Sequence, residues 1–232
     1  MKKETILVGV IGLMVGLIIG FMFANSVNQT SAGPAGTSSL AVNSNMPPGH
    51  PDIGSAGTGA MQPEITAAIE KAKGSPNDAD AQAKAGQLYY QIGRYDEAVG
   101  FLEKANKLRP DDNEIMADLA NANFDADNYE AAEKWYVAAL AKKEDDVNLR
   151  TDLGLTFVFR QPPDYDRAIA EFRKSLATDP SHIQTLQNMT VAYTRKGDES
   201  GAKATLAKLE AVDPANAAIS RLREDLAKLG TN

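Results

Sequence analysis

The chain has 232 residues, with 24 basic and 31 acidic side chains, a net charge of −7 and no cysteine. The lack of cysteine excludes a disulfide framework, a thiolate zinc site and a cysteine nucleophile. The acidic balance disfavours nucleic acid, whose binding requires concentrated positive charge. His50 and His182 lie far apart and lack the spacing of metal ligands. With no phosphate-binding glycine loop and no Ser-His-Asp arrangement, the sequence predicts a non-enzymatic protein without a cofactor.

The first predicted element is an apolar segment at the N-terminus. Residues 5–23 contain no charged side chain and directly follow Lys2, Lys3 and Glu4. As a helix, this segment would be about 28 Å long at about 1.5 Å per residue, close to the roughly 30 Å of a bilayer core. It therefore predicts a transmembrane anchor over residues 1–23. A cleaved signal peptide is the alternative, although its apolar region usually has only about 7–15 residues.

The same lysines predict the orientation of this anchor. No further Lys or Arg occurs before Lys71. Because basic residues stay on the cytoplasmic side, we expect the N-terminus in the cytoplasm and the rest of the chain across the membrane. In a bacterium, this corresponds to a single-pass protein of the inner membrane with its C-terminal domain in the periplasm.

Three glycines share one face of the predicted anchor: Gly12, Gly16 and Gly20. Glycines four residues apart allow two membrane helices to approach closely, so one interpretation is self-association of the anchor. The other interpretation is that glycine is simply frequent in membrane helices.

Residues 24–62 have the composition of a flexible linker. They are rich in Ser, Gly, Ala, Asn and Pro, contain no aromatic residue and carry one charge, Asp52. Such a segment cannot bury enough apolar surface to offset the entropy lost on ordering. Met46 and His50 within it could meet a soft metal such as copper(I), but a proline-stiffened spacer is the simpler interpretation, and no metal site is predicted.

From residue 63 to residue 229 the pattern is helical, and a motif of small and aromatic residues recurs about every 34 positions. A period of this length predicts stacked helical hairpins, which bury a core only against their neighbours. A short helix before the repeats and a closing helix over residues 217–229 are expected to cap the array. The four predicted repeats cover residues 79–112, 113–146, 147–182 and 183–216.

Each position of the motif has a physical role. Small residues allow the two helices of a repeat to approach closely, where a larger side chain would separate them. These small residues are Gly86, Ala120 and Gly154 in the first helices, and Ala98, Ala132, Ala168 and Ala202 in the second helices. Large residues fill the space between hairpins, and they include Leu102, Tyr136, Phe172 and Leu206.

These residues resemble the tetratricopeptide repeat, whose first helix carries Gly and Tyr and whose second helix carries Ala, an aromatic residue and Ala before a Pro. The resemblance covers residues 79–216, or 63–229 with the caps, and implies an all-α superhelical solenoid of helix–turn–helix repeats. Asn123 and Glu144 depart from the motif in the second repeat. The third repeat carries two extra residues near Gln161, either a recognition feature or tolerated variation of a loop.

The resemblance also implies a site, because such repeats usually bind an extended or helical peptide in a groove lined by their first helices. The groove residues assigned by repeat phase are Gln87, Tyr90, Asn121, Phe124, Leu155, Phe159, Gln187, Val191 and Arg195, with Gln91, Asp125 and Val158 beside them. Gln87 and Asn121 are expected to bond a peptide backbone. The apolar second half is expected to take an apolar helix face.

The best-known ligand of the family, the C-terminal carboxylate of chaperones, is not expected in this groove. It is held by lysines and asparagines, and no lysine is present at the matching positions. Those positions are Ala83, Gln87, Ala117, Asn121, Thr151 and Leu155.

Anchor, linker and repeats together predict a membrane-anchored scaffold for protein–protein interaction. The layout is similar to that of the membrane-tethered repeat proteins of bacterial cytochrome c maturation, which hold a segment of a client. It implies a client peptide or helix bound during assembly of an envelope or cytochrome c complex. The alternative is a structural or oligomerisation component of an envelope, secretion or pilus assembly, without a dedicated peptide ligand.

Overall fold

A computed structural model describes residues 63–229 of the chain. In this part, helices follow one another without a strand, as the predicted all-α solenoid requires. They are α1 (Pro63–Gly74), α2 (Ala79–Gln91), α3 (Tyr95–Leu108), α4 (Asn113–Asp125), α5 (Tyr129–Leu140), α6 (Val147–Phe159), α7 (Tyr165–Thr178), α8 (Ile183–Lys196), α9 (Glu199–Val212) and α10 (Ile219–Leu229).

The predicted anchor, the glycine face, the linker and the stretch from Met46 to His50 lie outside the described residues. Among the helices from residue 63 to residue 229, none is both long and apolar enough to cross a bilayer.

Sequential pairing organises the helices. α2 packs on α3, α4 on α5, α6 on α7 and α8 on α9, and each pair packs on the next through its second helix. First helices also touch across repeats, α2 with α4 and α6 with α8. The first helices therefore form one wall of the array, and this wall carries the candidate site.

Aspartates at the helix starts explain part of the acidic composition. Asp78, Asp112 and Asp146 precede the first helices α2, α4 and α6, and each side chain accepts a backbone N–H from the first turn. Asp164 and Asp198 do the same for α7 and α9. An N-cap of this kind satisfies backbone donors that have no partner inside the helix, and it suits the positive end of the helix dipole.

The close helix crossings that the motif predicts are present. Ala98, Ala132, Ala168 and Ala202 are fully buried. A Cβ added at Gly154 would lie 2.4 Å from Cε1 of Phe172, and the same addition at Gly86 would lie 2.6 Å from Cγ of Leu102. Both distances are far below a van der Waals contact, so glycine is the residue that lets each helix pair close.

The core runs through the whole array. A first cluster of buried apolar residues spans α1 to α4, and a second spans α4 to α10. Partly buried Trp135 packs against both clusters and joins them. The largest fully buried side chains are Tyr136, Phe157 and Phe172.

The two ends are covered by short helices. At the first end, buried Gln82 donates from Nε2 to the carbonyl oxygens of Ala72 at 2.6 Å and Ser75 at 3.2 Å, which fixes α1 on α2. At the other end, α10 packs on α8 and α9 and buries Leu222 and Leu226. Covered ends are expected in a repeat array, because a bare end would expose core.

The longer turn of the third repeat leaves its helices in place. Residues 161–163 are exposed, and the peptide bond between Gln161 and Pro162 is cis. The N–H of Asp164 donates to the carbonyl oxygen of Phe157 at 2.8 Å and closes the turn. Arg160 on one side of the loop pairs with Glu133 on α5 at 3.1 Å.

Candidate protein-binding groove

The candidate site is the surface of the first helices α2, α4, α6 and α8, called the groove here. Side chains reach it from equivalent helical positions, because the repeats place successive first helices side by side. Its first half comprises α2 and the facing part of α4, and its second half comprises the remainder of α4 with α6 and α8.

Hydrogen bonds join repeats in the first half of the groove. Nε2 of Gln87 donates to Oδ2 of Asp118 at 2.9 Å. The Tyr90 hydroxyl donates to Oδ2 of Asp125, with only 6% of Tyr90 exposed. Both bonds run from α2 to α4, so they fix the first repeat against the second.

The two amides expected to bond a peptide backbone already have partners in the chain. Gln87 is bonded to Asp118, and Oδ1 of Asn121 accepts the hydroxyl of buried Tyr136 at 2.8 Å. Asn121 is only 7% exposed. Both amides therefore position neighbouring side chains in this structure.

Burial and nearby carboxylates raise the pKa of two phenols, Tyr90 in the groove and fully buried Tyr136 on α5. Burial raises the pKa of the Tyr90 hydroxyl far above its usual value, and Asp125 raises it further. Burial likewise raises the pKa of the Tyr136 hydroxyl, with Asp152 as the next cause and Asp125 a smaller one. These effects favour the neutral, hydrogen-bond-donating form of both phenols.

Aromatic rings meet in the second half. The centroid of Phe124 lies 5.6 Å from that of Tyr129 and 6.0 Å from that of Phe159, both in edge-to-face geometry, while Tyr129 and Phe159 stack at 6.5 Å. Cζ of exposed Arg195 lies 5.1 Å from the Phe159 centroid. These three rings, called the aromatic cluster below, bring together side chains of α4, α5 and α6 under a cation from α8.

The remaining predicted groove residues divide between the surface and the core. Leu155 and Val191 are partly buried and pack against the core from the groove side. Gln187 donates from Nε2 to Oδ1 of Asn216 at 2.7 Å, which joins α8 to the end of the fourth repeat. Val158 is 3% exposed and belongs to the core.

Two aspartates of this surface were not among the predicted site residues. Asp118 and Asp152 precede Asn121 and Leu155 by three residues, so they lie on the same face of their helices. They stand 34 positions apart at the same repeat phase, and that recurrence is the signal that could have identified them. Asp152 is 7% exposed.

A sequence profile described as tetratricopeptide repeat matches residues 93–151 and 163–226. The chain belongs to the tetratricopeptide repeat family. Members of this family generally act as scaffolds for protein–protein interaction. No curated protein matches the chain.

Solved structures resemble it over most of the described residues. A crystal structure of MamA is 26% identical with a TM-score of 0.57, over 71% of this chain and 89% of that one. A second MamA crystal structure is 27% identical with a TM-score of 0.59, over 65% and 81%. TTC0263, a thermophilic repeat protein of Thermus thermophilus, is 21% identical with a TM-score of 0.52, over 66% and 81%, which shows the shared fold alone.

Proposed function

We propose that this protein is a membrane-anchored scaffold that binds a client peptide or helix in its groove during assembly of an envelope or cytochrome c complex. The observation that carries the proposal is the aromatic cluster, because Phe124 and Phe159 come from the first helices of successive repeats and meet edge to face, with Tyr129 of α5 beside both. Rings presented in this way fit the apolar face of an amphipathic helix. No reaction is assigned to the protein.

The groove offers both parts of such a binding mode. Phe124, Phe159 and partly buried Val191 supply apolar surface for the anchor residues of a client. Two hydrogen bonds from α2 to α4 hold the first two of these helices in register before a client arrives. A groove that is ordered in advance lowers the entropy lost on binding.

Site-specific crosslinking in cells tests the site. A photoreactive phenylalanine analogue at Phe159 of the full-length chain should capture a client, and Phe124→Ala in the same chain should weaken capture. The same analogue at Val137, which is 51% exposed on α5 and outside the groove, provides the control. Equal capture from both positions would overturn the groove as the site. Capture of second copies of this chain alone would favour the structural alternative.

We also propose that residues 1–23 hold the chain in the inner membrane and that the repeats lie in the periplasm. The support is the uncharged stretch of residues 5–23 behind Lys2 and Lys3. Alkaline phosphatase, which is active only outside the cytoplasm, should be active when fused to the C-terminus. An inactive fusion of normal abundance would exclude this topology.

A further inference from the structure

Arg195 places a cation at the edge of the aromatic cluster. It belongs to the last turn of α8, its side chain is exposed, and its Cζ lies 5.1 Å from the centroid of the Phe159 ring. Resting on the proposed function, we propose that the client helix carries a single carboxylate side chain next to its apolar residues. Arg195 binds this carboxylate while the apolar residues contact the aromatic cluster.

The guanidinium of Arg195 has no acceptor in the part of the chain that the structure describes. It makes neither an ion pair nor a hydrogen bond there, and its contact is with the ring of Phe159. Arg173 donates to the hydroxyl of Tyr193. The other arginines between residues 63 and 229 all have acidic partners, and they are Arg94, Arg109, Arg150, Arg160, Arg167, Arg221 and Arg223. In a chain with more acidic than basic residues, Arg195 is therefore the arginine left for an acid supplied by a partner.

Contact with a ring leaves the hydrogen-bonding capacity of the guanidinium unused. Arg carries its N–H donors in a planar fork, whereas the attraction to the face of Phe159 comes from charge. The fork matches the two oxygens of a carboxylate, and bonds between ionised groups are about twice as strong as neutral ones. The ring also restricts where the guanidinium lies, so less side-chain entropy is lost when a carboxylate binds.

Of the four first helices, α8 is the one with an excess of basic residues. It contains Arg195 and Lys196 and no acidic residue, whereas α4 contains three acidic residues and no basic one. Lys196 already pairs with Asp166. Asn188 stands on α8 where Asp152 stands on α6, so a neutral amide replaces a carboxylate at this repeat position. The end of the groove at α8 is therefore the part that complements an acidic group.

Charge elsewhere in the chain limits the client to a single carboxylate at this place. Acidic residues outnumber basic ones from residue 63 onward, and α4 borders the same aromatic cluster. A tract of acidic residues would be repelled by this charge. Repulsion at long range mainly slows association, whereas a charge pair in contact mainly slows dissociation. One carboxylate among apolar residues therefore gains the pair with Arg195 at the smallest cost in repulsion.

The chain's own linker does not present this combination. Asp52 is the only acidic residue among residues 24–62, and Ile53 is the only large apolar residue within five positions of it. An apolar helix face requires side chains that recur at three or four residues. The linker lacks such a pair around Asp52, so a partner protein is the occupant that fits the groove.

Three labelled peptides test the inference by fluorescence anisotropy on the full-length chain. They are acetylated and amidated at their ends, share a pair of leucines four residues apart, and carry glutamate, glutamine or lysine in the next turn. The glutamate peptide should bind about tenfold more tightly than the glutamine peptide, and the lysine peptide should bind most weakly. Arg195→Gln should remove this preference and leave the affinity for the glutamine peptide nearly unchanged.

Reversal of the charge gives a second test, and an arginine outside the groove gives the control. Arg195→Glu should make the lysine peptide the tightest of the three. Arg223→Gln is the matched control, because it removes the same charge from an exposed arginine of α10 that pairs with Glu210 at 2.9 Å. It should leave all three affinities unchanged.

Several outcomes would overturn the inference. They are equal binding of the glutamate and glutamine peptides, no saturable binding of any peptide, and a preference that survives in Arg195→Gln. A preference that appears only when the peptide ends in a free carboxylate would also contradict it, and so would conversion of a dimer of the chain into a monomer by Arg195→Gln without peptide binding. Equal binding that Phe159→Ala abolishes would remove the role of Arg195 and leave the proposed function standing.

Discussion

The two halves of the groove differ in the contact that joins neighbouring first helices at equivalent repeat positions. Tyr90 and Phe124 stand 34 positions apart, as do Asp125 and Phe159, so each pair has one repeat phase. Between α2 and α4 these positions form a phenol–carboxylate hydrogen bond, whereas between α4 and α6 they form an edge-to-face ring contact. The repeat thus fixes where side chains meet, and the residue type decides whether the contact is directional and polar or apolar.

Removal of core from the second half should produce the largest effect. Phe172 is fully buried against Gly154, so Phe172→Ala is expected to cost about 3–5 kcal/mol of unfolding free energy. In a repeat array each unit depends mainly on its neighbours. Repeats three and four should therefore lose amide protection before repeats one and two, as measured by hydrogen exchange with mass spectrometry.

Leu102 occupies the matching place in the first repeat, against Gly86. Leu102→Ala should cost about 2–5 kcal/mol and reverse the order in which the halves lose protection. Uniform loss of protection in both variants would show that the halves unfold as one unit and would contradict a difference in stability between them.

Loss of the Tyr90 hydroxyl should lower the free energy of unfolding through the first half of the groove. Tyr90→Phe removes the bond to Asp125, and bonds to charged groups contribute about 1.5–3 kcal/mol, so we expect a loss of about 2 kcal/mol in urea denaturation. Tyr129→Phe deletes the same group from an exposed bond to Asp127 and should cost under about 0.5 kcal/mol. Similar losses in the two variants would mean that burial of Tyr90 adds nothing to its hydrogen bond.

Ring contact in the apolar half should appear as coupling between two substitutions. In a double-mutant cycle with Phe124→Leu and Phe159→Leu, we expect an interaction energy of about 0.5–1.5 kcal/mol, which is what aromatic pairs of this kind contribute beyond burial. Gln87→Ala combined with Phe159→Leu serves as the control, because Gln87 bonds Asp118 and belongs to the other half. Coupling of the control pair as large as that of the ring pair would contradict the division into halves.

The helix crossings could be predicted from the sequence because they depend on side-chain size alone. Ala98 and Ala168 take the same place in their repeats and are fully buried, and a Cβ added at Gly154 would clash with Phe172. Phase also predicted Phe124 and Phe159 on one surface, and their ring centroids lie 6.0 Å apart.

Partners across the groove could not be predicted in the same way. Gln87 bonds Asp118 over 31 positions, one helical turn short of the repeat, and Asn121 bonds Tyr136 over 15. Phase places each residue around its own helix axis, but a hydrogen bond also depends on the offset between neighbouring helices. That offset follows from how the helices pack, so the partners of Gln87 and Asn121 became visible only in three dimensions.

Lowering the pH should destabilise the second half of the groove through protonation of His182, the only histidine after residue 62. It is half-buried, with Nδ1 2.7 Å from Oγ1 of Thr185, whose oxygen lies 2.6 Å from that of Thr151. Burial lowers the pKa of His182, against the opposing charges of Asp179 and Asp152. Its folded pKa thus lies below the unfolded value of about 6.5.

Below about pH 6.5 the unfolded chain therefore binds more protons than the folded chain. The free energy of unfolding consequently decreases as the pH is lowered, until the pH reaches the folded pKa of His182. Asp111 and Asp179 have lowered pKa values and act in the same direction, but only nearer their unfolded value of about 3.9. His182→Gln should hence flatten the loss of stability between neutral pH and about pH 5, measured as urea midpoints of the variant and the natural chain. Because the first half contains no histidine, repeats three and four should lose amide protection first in hydrogen exchange at about pH 5.5. If the urea midpoint of the variant falls with decreasing pH as steeply as that of the natural chain, or if repeats one and two lose protection first, His182 does not distinguish the halves.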